Sequence, residues 1–538
     1  MTLCPRCSRV NPDQAKFCGA CGTPLATQPT PIRIKTISDT SPKPQGACFY
    51  HPDILATTIC SRCGRATCTD CSKPYGTLHF CPECHWALPP IQPSDSGKPT
   101  VTPQTQPSRP PTASTANDGV ALLKLSLLSV LMGILGAFVL FVFVFIEHYG
   151  IELLWEDIPH FLGIKVGVLY APWVISMCLI GGLLVGCITR ISKVPPLILA
   201  QEIDHITKTG RMGMVEGIVP MVRGLVGILF GGSIGPEGPL VAGCAAIGTW
   251  FAETAKLTKP EVMSCLSCTI SGMFGGFLDV PFGWPLIVTE GGLESGKLSW
   301  KVLLPTILAG AVGAGLFYVL TGAYFMGTFK VPPVQFNFMF LIYAFPLGLV
   351  GALLGILFVY FFNFLKRFSR PREIRHAIEL ALLAGLNLGV VASFFPLVLF
   401  DGGDLNVLTL ATLIANATAI GAPMLVAYSF MKLSVTVVCL TLGWAGGLFF
   451  PAFFIGGSMG LAINLVFPFI PIAICMPCVM VGVVMALAKF PITLTLVIAL
   501  AFGLPLTPVV AVAAVTAFIF TYGVHFKFGN ENEEKGAH

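Results

Sequence analysis

Charge is what this sequence has least of. Asp, Glu, Lys and Arg together make up 11% of its 538 residues, less than half the share of an average soluble domain. That shortage excludes an ordinary soluble globular chain. The net charge of +5 is small for the length, and no dense basic and aromatic patch points to a nucleic-acid partner. The first residues, MTLCPRCSRV, lack the apolar core of a secretory signal, so the N-terminus is expected in the cytosol. The tail HFKFGNENEEKGAH, short and polar, is expected to hold no soluble domain and to lie on the same side. An enzyme embedded in the membrane would need a nucleophile, base or metal cluster there. None is evident, so no enzymatic activity is expected.

What the sequence has in plenty is hydrophobic residues, 54% of the chain. From Val120 they form long runs, at about 120–146, 165–190, 302–323, 338–365, 378–400, 406–430, 434–466, 472–502 and 506–522. Several exceed the roughly 20 residues a spanning helix needs. Others are broken by Gly and Pro around 216–250, 262–293 and 443–470. Broken helices in a membrane protein line sites buried in protein and point to transport. Arg190 and Lys193 after one span, and KRFSRPREIR after another, are expected on the cytosolic face. The loop EHYGIELLWEDIPH, Glu147 to His160, is expected outside it. The reading is therefore an all-α polytopic membrane protein, in contact with lipid.

Cysteine is unevenly spread. Eleven of 19 lie before residue 85, mostly as C-x-x-C pairs, which read as metal ligands rather than a disulfide framework. The boundaries drawn are a zinc module over 1–25, a linker over 26–47, a second module over 48–88, and a Pro/Ser/Thr-rich tether over 89–119. The membrane domain follows over 120–528, with a polar tail over 529–538. Cys4, Cys7, Cys18 and Cys21 supply four thiols at the bite that tetrahedral zinc takes. The second module holds Cys48, His51, Cys60, Cys63, Cys68, Cys71, His79, Cys81, Cys84 and His85. The membrane cysteines, including the pairs Cys265/Cys268 and Cys475/Cys478, read as small core residues.

One stretch sets an acid among glycines and prolines: GGSIGPEGPLVAGCAAIG, Gly231 to Gly248. An ionisable group at membrane depth is a functional hypothesis by default. The motif Gly235-Pro-Glu-Gly-Pro239 is echoed by Gly447-Leu-Phe-Phe-Pro451. Each has a Gly four residues before its Pro and another nine after it, and the two Pro are 212 residues apart. With the repeated broken helices, this predicts a duplicated architecture, inverted or not. Each stretch would open a helix, and two helix N-termini meeting at mid-membrane would bind an anion without a fixed cation. Ionised, Glu237 could occupy that site itself. Protonated, it could leave it. The plainer alternative is a glutamate that only stabilises its own helix N-terminus.

These motifs resemble the CLC family of chloride channels and chloride/proton antiporters. GPEGP (235–239) is similar to the family's G-[K/R]-E-G-P. GLFFP (447–451), following GWAGG, is similar to its G-x-F-x-P. FGGFLDVPFGWPLIVTEGG (274–292) resembles the stretch between them. The resemblance implies an inverted-repeat helical fold, a homodimer with one pore per subunit, and chloride or a similar anion as the transported ligand. It implies Glu237 as the gate and an anion site at Gly235, Pro236, Gly238, Gly447, Leu448, Phe449 and Phe450. The family's first motif, G-S-G-I-P, has its best counterpart at Ile191–Pro195, where Ser192 would offer a hydroxyl; a plain helix connection is the other reading of that segment. At the family's paired acids this chain has Glu290 and then Gly291, so the inner proton acceptor is missing unless Glu290 takes the role. Otherwise Glu290 is structural. The late pore tyrosine has no counterpart, since Tyr522 falls short of its spacing. These departures leave open a gated channel or a proton-coupled transporter.

Residues 4–25 resemble a prokaryotic zinc ribbon. Residues 48–85 resemble a B-box, whose cross-brace implies Cys48, His51, Cys68 and Cys71 around one zinc, and Cys60, Cys63, Cys81 and Cys84 around another, with His79 or His85 as substitutes. Such modules imply an unnamed cytosolic partner. The competing reading of the whole chain is a membrane-anchored zinc-finger scaffold. Against it, an anchor needs one span and no buried acid. The expected location is a prokaryotic cell membrane.

Overall fold

The computed structural model describes residues 2–3, 10–11, 47–48, 51–55, 57–60, 66–75 and 78–80 of an N-terminal unit. Beyond it, residues 115–164, 171–292, 300–322, 329, 331–369, 374–400 and 409–526 are described. The chain divides into two compact units at Pro110/Pro111.

The described part of the N-terminal unit is four two-stranded antiparallel ladders: β1 (Thr2–Leu3) with β2 (Val10–Asn11), β3 (Ala47–Cys48) with β4 (His51–Leu55), β5 (Thr58–Ile59) with β6 (Ala66–Thr67), and β7 (Lys73–Tyr75) with β8 (Leu78–Phe80). Strands this short cannot bury a core of their own.

The second unit is helical. In chain order its main helices are α1 (Thr115–Glu152), α2 (Ala171–Ser192), α3 (Leu199–Thr209), α4 (Met214–Leu229), α5 (Glu237–Thr254), α6 (Lys259–Leu278), α7 (Gly283–Gly292) and α8 (Trp300–Thr321). Then come α9 (Met339–Ser369), α10 (Ala377–Phe394), α11 (Thr409–Ile420), α12 (Ala422–Thr441), α13 (Phe449–Val466), α14 (Ile472–Leu487), α15 (Pro491–Phe502) and α16 (Thr507–Thr521). Among the described residues, nine helical segments are long and apolar enough to cross a membrane. This is an integral, multi-pass membrane protein.

Sixteen helices fall into two sets of eight, and the packing repeats. In the first set α1, α6 and α8 pack mutually, α4 packs on α5, α5 on α6, α6 on α7, and α3 on α5. In the second, α9, α14 and α16 pack mutually, α12 packs on α13, α13 on α14, α14 on α15, and α11 on α13. Each contact recurs eight helices later, so the duplication inferred from two short motifs extends through the whole domain. The halves meet through matching members, α2 against α10 and α7 against α15. Small residues set these approaches. Gly272 packs on the Gly133 backbone in the first half, and Gly482 on Gly348 in the second. Lipid gives helices no hydrophobic reason to associate, so close backbone approach supplies the attraction.

Two apolar runs read without a break are each two helices. The run 406–430 turns at Gly421, with φ of 80°, between α11 and α12. The run 472–502 breaks between α14 and α15, while the break expected around 443–470 falls between α12 and α13. A run is continuous in hydropathy wherever both helices are buried, so composition alone hides the break. The expected loop 147–160 is helical instead. It continues α1 through a π-turn, Leu153–Asp157, and a last turn, Ile158–Phe161. Trp155 anchors it by donating to the Leu229 carbonyl (2.9 Å). Helix α1 also begins at Thr115, inside the expected tether.

Candidate functional site

The two motifs meet. The Gly235 amide donates to the Gly447 carbonyl (3.0 Å), and the Gly447 amide donates back to Gly235 (2.6 Å). The result is an isolated antiparallel bridge between segments that open α5 and α13. Each segment reaches the bridge through a glycine in the left-handed region four residues earlier, Gly231 (φ 90°) and Gly443 (φ 106°). Side-chained residues pay to adopt such angles, so these two glycines set how the loops enter the bridge.

Two residues past each bridging glycine a helix starts, at Glu237 in α5 and Phe449 in α13. Neither helix is capped by its own N-cap side chain, Pro236 or Leu448. The cap of α13 comes from the other half: Glu237 Oε1 accepts from the Phe449 amide at 2.5 Å. Glu237 is fully buried and Phe449 nearly so. A carboxylate at a helix N-terminus is favoured by the end's partial positive charge and free N–H groups. Another anion would find the same donors.

Other expected residues take different places. Gly238 sits against the Gly446 carbonyl and the Glu202 carboxylate. Phe450 is core: it packs on Phe277 (5.0 Å between ring centroids) and Phe453. Leu448 and Phe449 wall a cavity of about 260 Å³. Ser192 ends α2, and its hydroxyl accepts from the Val194 amide (3.3 Å). The segment that reaches the cavity on that side is the start of α3, through Leu199, Ala200 and Ile203, with Ile198 at its N-cap. Glu290 caps α15: its oxygens accept from the amides of Ile492 (2.5 Å) and Thr493 (3.2 Å) and from the Thr493 hydroxyl (2.7 Å). This is the structural alternative for that acid. Tyr522 is 67% exposed and stacks edge-on with Phe518.

The cavity's ionisable lining residues are Lys489 and His525. Lys489 lies between α14 and α15 and donates to the Thr521 carbonyl (2.6 Å) and hydroxyl (2.7 Å). Partial burial pulls its ammonium down to about 8.

Besides Glu237, the three most deeply buried charged residues described were missed in the sequence. Arg223 of α4, fully buried, donates to Thr189 Oγ1 (3.1 Å) and to the carbonyls of Val194 (2.9 Å) and Pro195 (3.1 Å). Lys432 of α12, also fully buried, donates to the carbonyls of Val398 (3.0 Å), Leu399 (3.3 Å) and Phe400 (2.7 Å). Its Nζ lies 5.1 Å from the Phe454 ring centroid. Glu202 of α3 is 2% exposed. The rule that singled out Glu237, an ionisable residue within an apolar stretch, also fits Arg223 and Lys432. It does not fit Glu202, which sits among polar neighbours.

Of the expected zinc ligands, Cys4, Cys7, Cys18, Cys21, Cys63, Cys81, Cys84 and His85 lie outside the described residues. Cys48 and His51 are placed by backbone, opposite each other in the β3–β4 ladder. Cys60 is buried, and Cys68 and Cys71 are buried against each other. His79 meets the Ser72 hydroxyl (3.0 Å). Among the described residues no three potential ligands gather. The tether lies outside the described residues up to Ser114.

A family profile described as "Voltage gated chloride channel" matches residues 177–522. The "Putative ion-transport protein YfeO" of Escherichia fergusonii is 25% identical over 435 residues, covering 78% of this chain and 97% of that protein. Its counterpart in Escherichia coli strain 55989 is 27% identical over 386 residues, covering 68% and 85%. Among solved structures, a CLC-type fluoride/proton antiporter aligns with a TM-score of 0.58 at 19% identity, over 75% of this chain and 96% of its own. A slow cyanobacterial Cl-/H+ antiporter aligns with a TM-score of 0.61 at 16% identity, over the same shares. At such identities these two structures speak for the fold.

Proposed function

The chain belongs to the voltage-gated chloride channel family, and from that premise we propose that it passes chloride or a similar small anion across the membrane, with Glu237 as the gate. One observation carries this reading: the Glu237 carboxylate caps α13 from the opposite half of the molecule. An acid held on the amide that begins another helix is a substitute anion. Chloride competes for the same donor once Glu237 is protonated or displaced, and the cavity at Leu448 and Phe449 is its route to that donor. Phe449 and the backbone of Gly235, Gly447 and Leu448 form the anion site in this reading. Pro236 and Gly238 shape it. Ser192, bound to its own loop, is the weakest member of the expected set.

The donor held by Glu237 is a backbone amide, which favours conduction, because a full charge in a dry site holds an anion too tightly to release it. Proton coupling is open to the same geometry, since Glu237 changes charge by binding a proton. Anion efflux from liposomes, with proton movement recorded alongside, tests both for wild type and Glu237→Gln. Anion flux that drives protons uphill, with only the proton component lost in the variant, makes the protein an exchanger. Anion flux without protons, and altered gating in the variant, makes it a channel. No anion flux from folded wild type sinks the reading and returns the scaffold alternative.

The remaining assignments follow the family and the cysteine spacing. The membrane domain works as a homodimer in the cell membrane of a prokaryote, with both termini cytosolic. The N-terminal unit is stapled by zinc, for which the paired burial of Cys68 and Cys71 is the supporting observation, and it serves a cytosolic partner.

A further inference from the structure

The position that would hold an inner proton acceptor carries Gly291, and Glu290 beside it is committed to capping α15. Another acid lies closer to the gate. Glu202 sits in the first turn of α3, 98% removed from solvent. Its Oε2 has no hydrogen-bond partner among the described residues. That oxygen lies 3.4 Å from where a Cβ on Gly238 would be, against the first turn of the helix that Glu237 begins. A methyl at 238 would meet that oxygen in van der Waals contact, so the carboxylate lies directly against this turn.

Two charged groups act on Glu202 from the elements around it, Arg223 of α4 and Glu237 of α5. On its own helix, Asp204 and Lys208 pair with each other at the surface (2.8 Å), and His205 turns to Glu216 (3.8 Å). The same helix presents Leu199, Ala200 and Ile203 to the cavity that also holds Lys489 and His525. So α3 separates an accessible cavity on one face from a buried acid on another.

Three ionisable groups then share one desolvated region, one cation and two acids. Arg223 offsets one carboxylate. Two interacting carboxylates, both buried, do not both ionise readily, and they titrate as a unit. We infer that Glu202 and Glu237 form a coupled pair in which Glu202 takes the proton. This rests on the anion-transport reading above. When an anion arrives at the Phe449 amide, it adds a negative charge and the pair takes up a proton. The proton comes from solvent and forms its O–H bond on Glu202, which becomes neutral while Glu237 stays a carboxylate displaced by the anion. By linkage, the proton strengthens anion binding as much as the anion strengthens proton binding.

The test is proton uptake during chloride or fluoride titration of the purified full-length protein, read with a pH indicator beside calorimetry. Wild type is expected to take up about one proton per bound anion. Glu202→Gln should lose most of that uptake, and Glu202→Asp should keep it. Glu237→Gln should retain uptake, because Arg223 and Glu202 remain; this arm holds even if Glu202→Gln fails to fold. Anion binding without proton uptake in wild type, or uptake unchanged in Glu202→Gln, overturns the assignment while leaving the transport reading intact. Uptake abolished in Glu237→Gln also overturns it, since Glu237 would then be the sole acceptor. Absence of both anion binding and anion flux in wild type overturns the transport reading itself, and the pair with it.

Discussion

The two halves of the membrane domain build the same scaffold and give it different ends. In each, a left-handed glycine leads to a bridging glycine, and a helix starts two residues later. The first half begins that helix with Glu237, the second with Phe449. One half supplies the charge and the other the amide that receives it. The buried cations follow the same rule. Arg223 holds the Val194–Pro195 segment before α3, and Lys432 holds the Val398–Phe400 segment before α11. Both bind backbone carbonyls, and Arg223 also acts on the Glu202 carboxylate. Duplication fixed the frame, and asymmetry in a few side chains made a site.

Removing the matched cations tests the shared part hardest. Arg223→Met and Lys432→Met each strand buried carbonyls, so each should destabilise the protein by about 3 kcal/mol, read as thermal unfolding in detergent. Only Arg223→Met should also shift the pH dependence of anion flux. Equal shifts from both would break the comparison. Removing the asymmetry comes next. Glu237→Gln should raise anion flux at neutral pH by roughly ten-fold, a change of about 1.4 kcal/mol in the gate, and should flatten its pH profile in the liposome assay. Gly447→Ala attacks the same contact from the other half, because its methyl would overlap the Glu237 carboxylate. It should reproduce the Glu237→Gln profile, and the double variant should add little. Additive effects would show that the two act separately.

Smaller effects concern residues without a matched partner. Burial disfavours charged Lys489, so the folded chain releases this proton at lower pH than the unfolded chain. Its burial lowers stability below about 8, and that cost fades as pH rises toward the unfolded value of about 10.4. Over the same rise the cavity loses its cation. Anion flux should therefore fall roughly two-fold through pH 8, and Lys489→Met should remove that step. Glu290→Gln should cost only about 1 kcal/mol, as expected of a helix cap, and leave the proton-to-anion ratio unchanged. A changed ratio would restore Glu290 as a proton carrier.

The sequence made the encounter of the halves legible because both sides carry it in short, spaced glycine–proline motifs. The Gly235–Gly447 bridge joins the two stretches that were compared as an internal echo. The breaks within 406–430 and 472–502 were hidden because hydropathy registers burial and not direction. Glu202 was hidden for a different reason. LILAQEIDHITKTG reads as an amphipathic helix with a solvated face, and only tertiary packing puts its one buried acid against Gly238. Ser192 was sought by motif where the first glycines are gone, and the helix that reaches the cavity begins seven residues later at Leu199.

The bridge between Gly235 and Gly447 also bears on how the protein is made. Its two strands emerge from the ribosome more than two hundred residues apart, and domains form in the order of synthesis. The first half, inserted alone, offers Glu237 no Phe449 amide. A nascent chain therefore has no finished pathway, and the membrane stays sealed until the second half arrives. Co-expression of the halves as separate chains should rebuild that pathway, while either half by itself should conduct nothing.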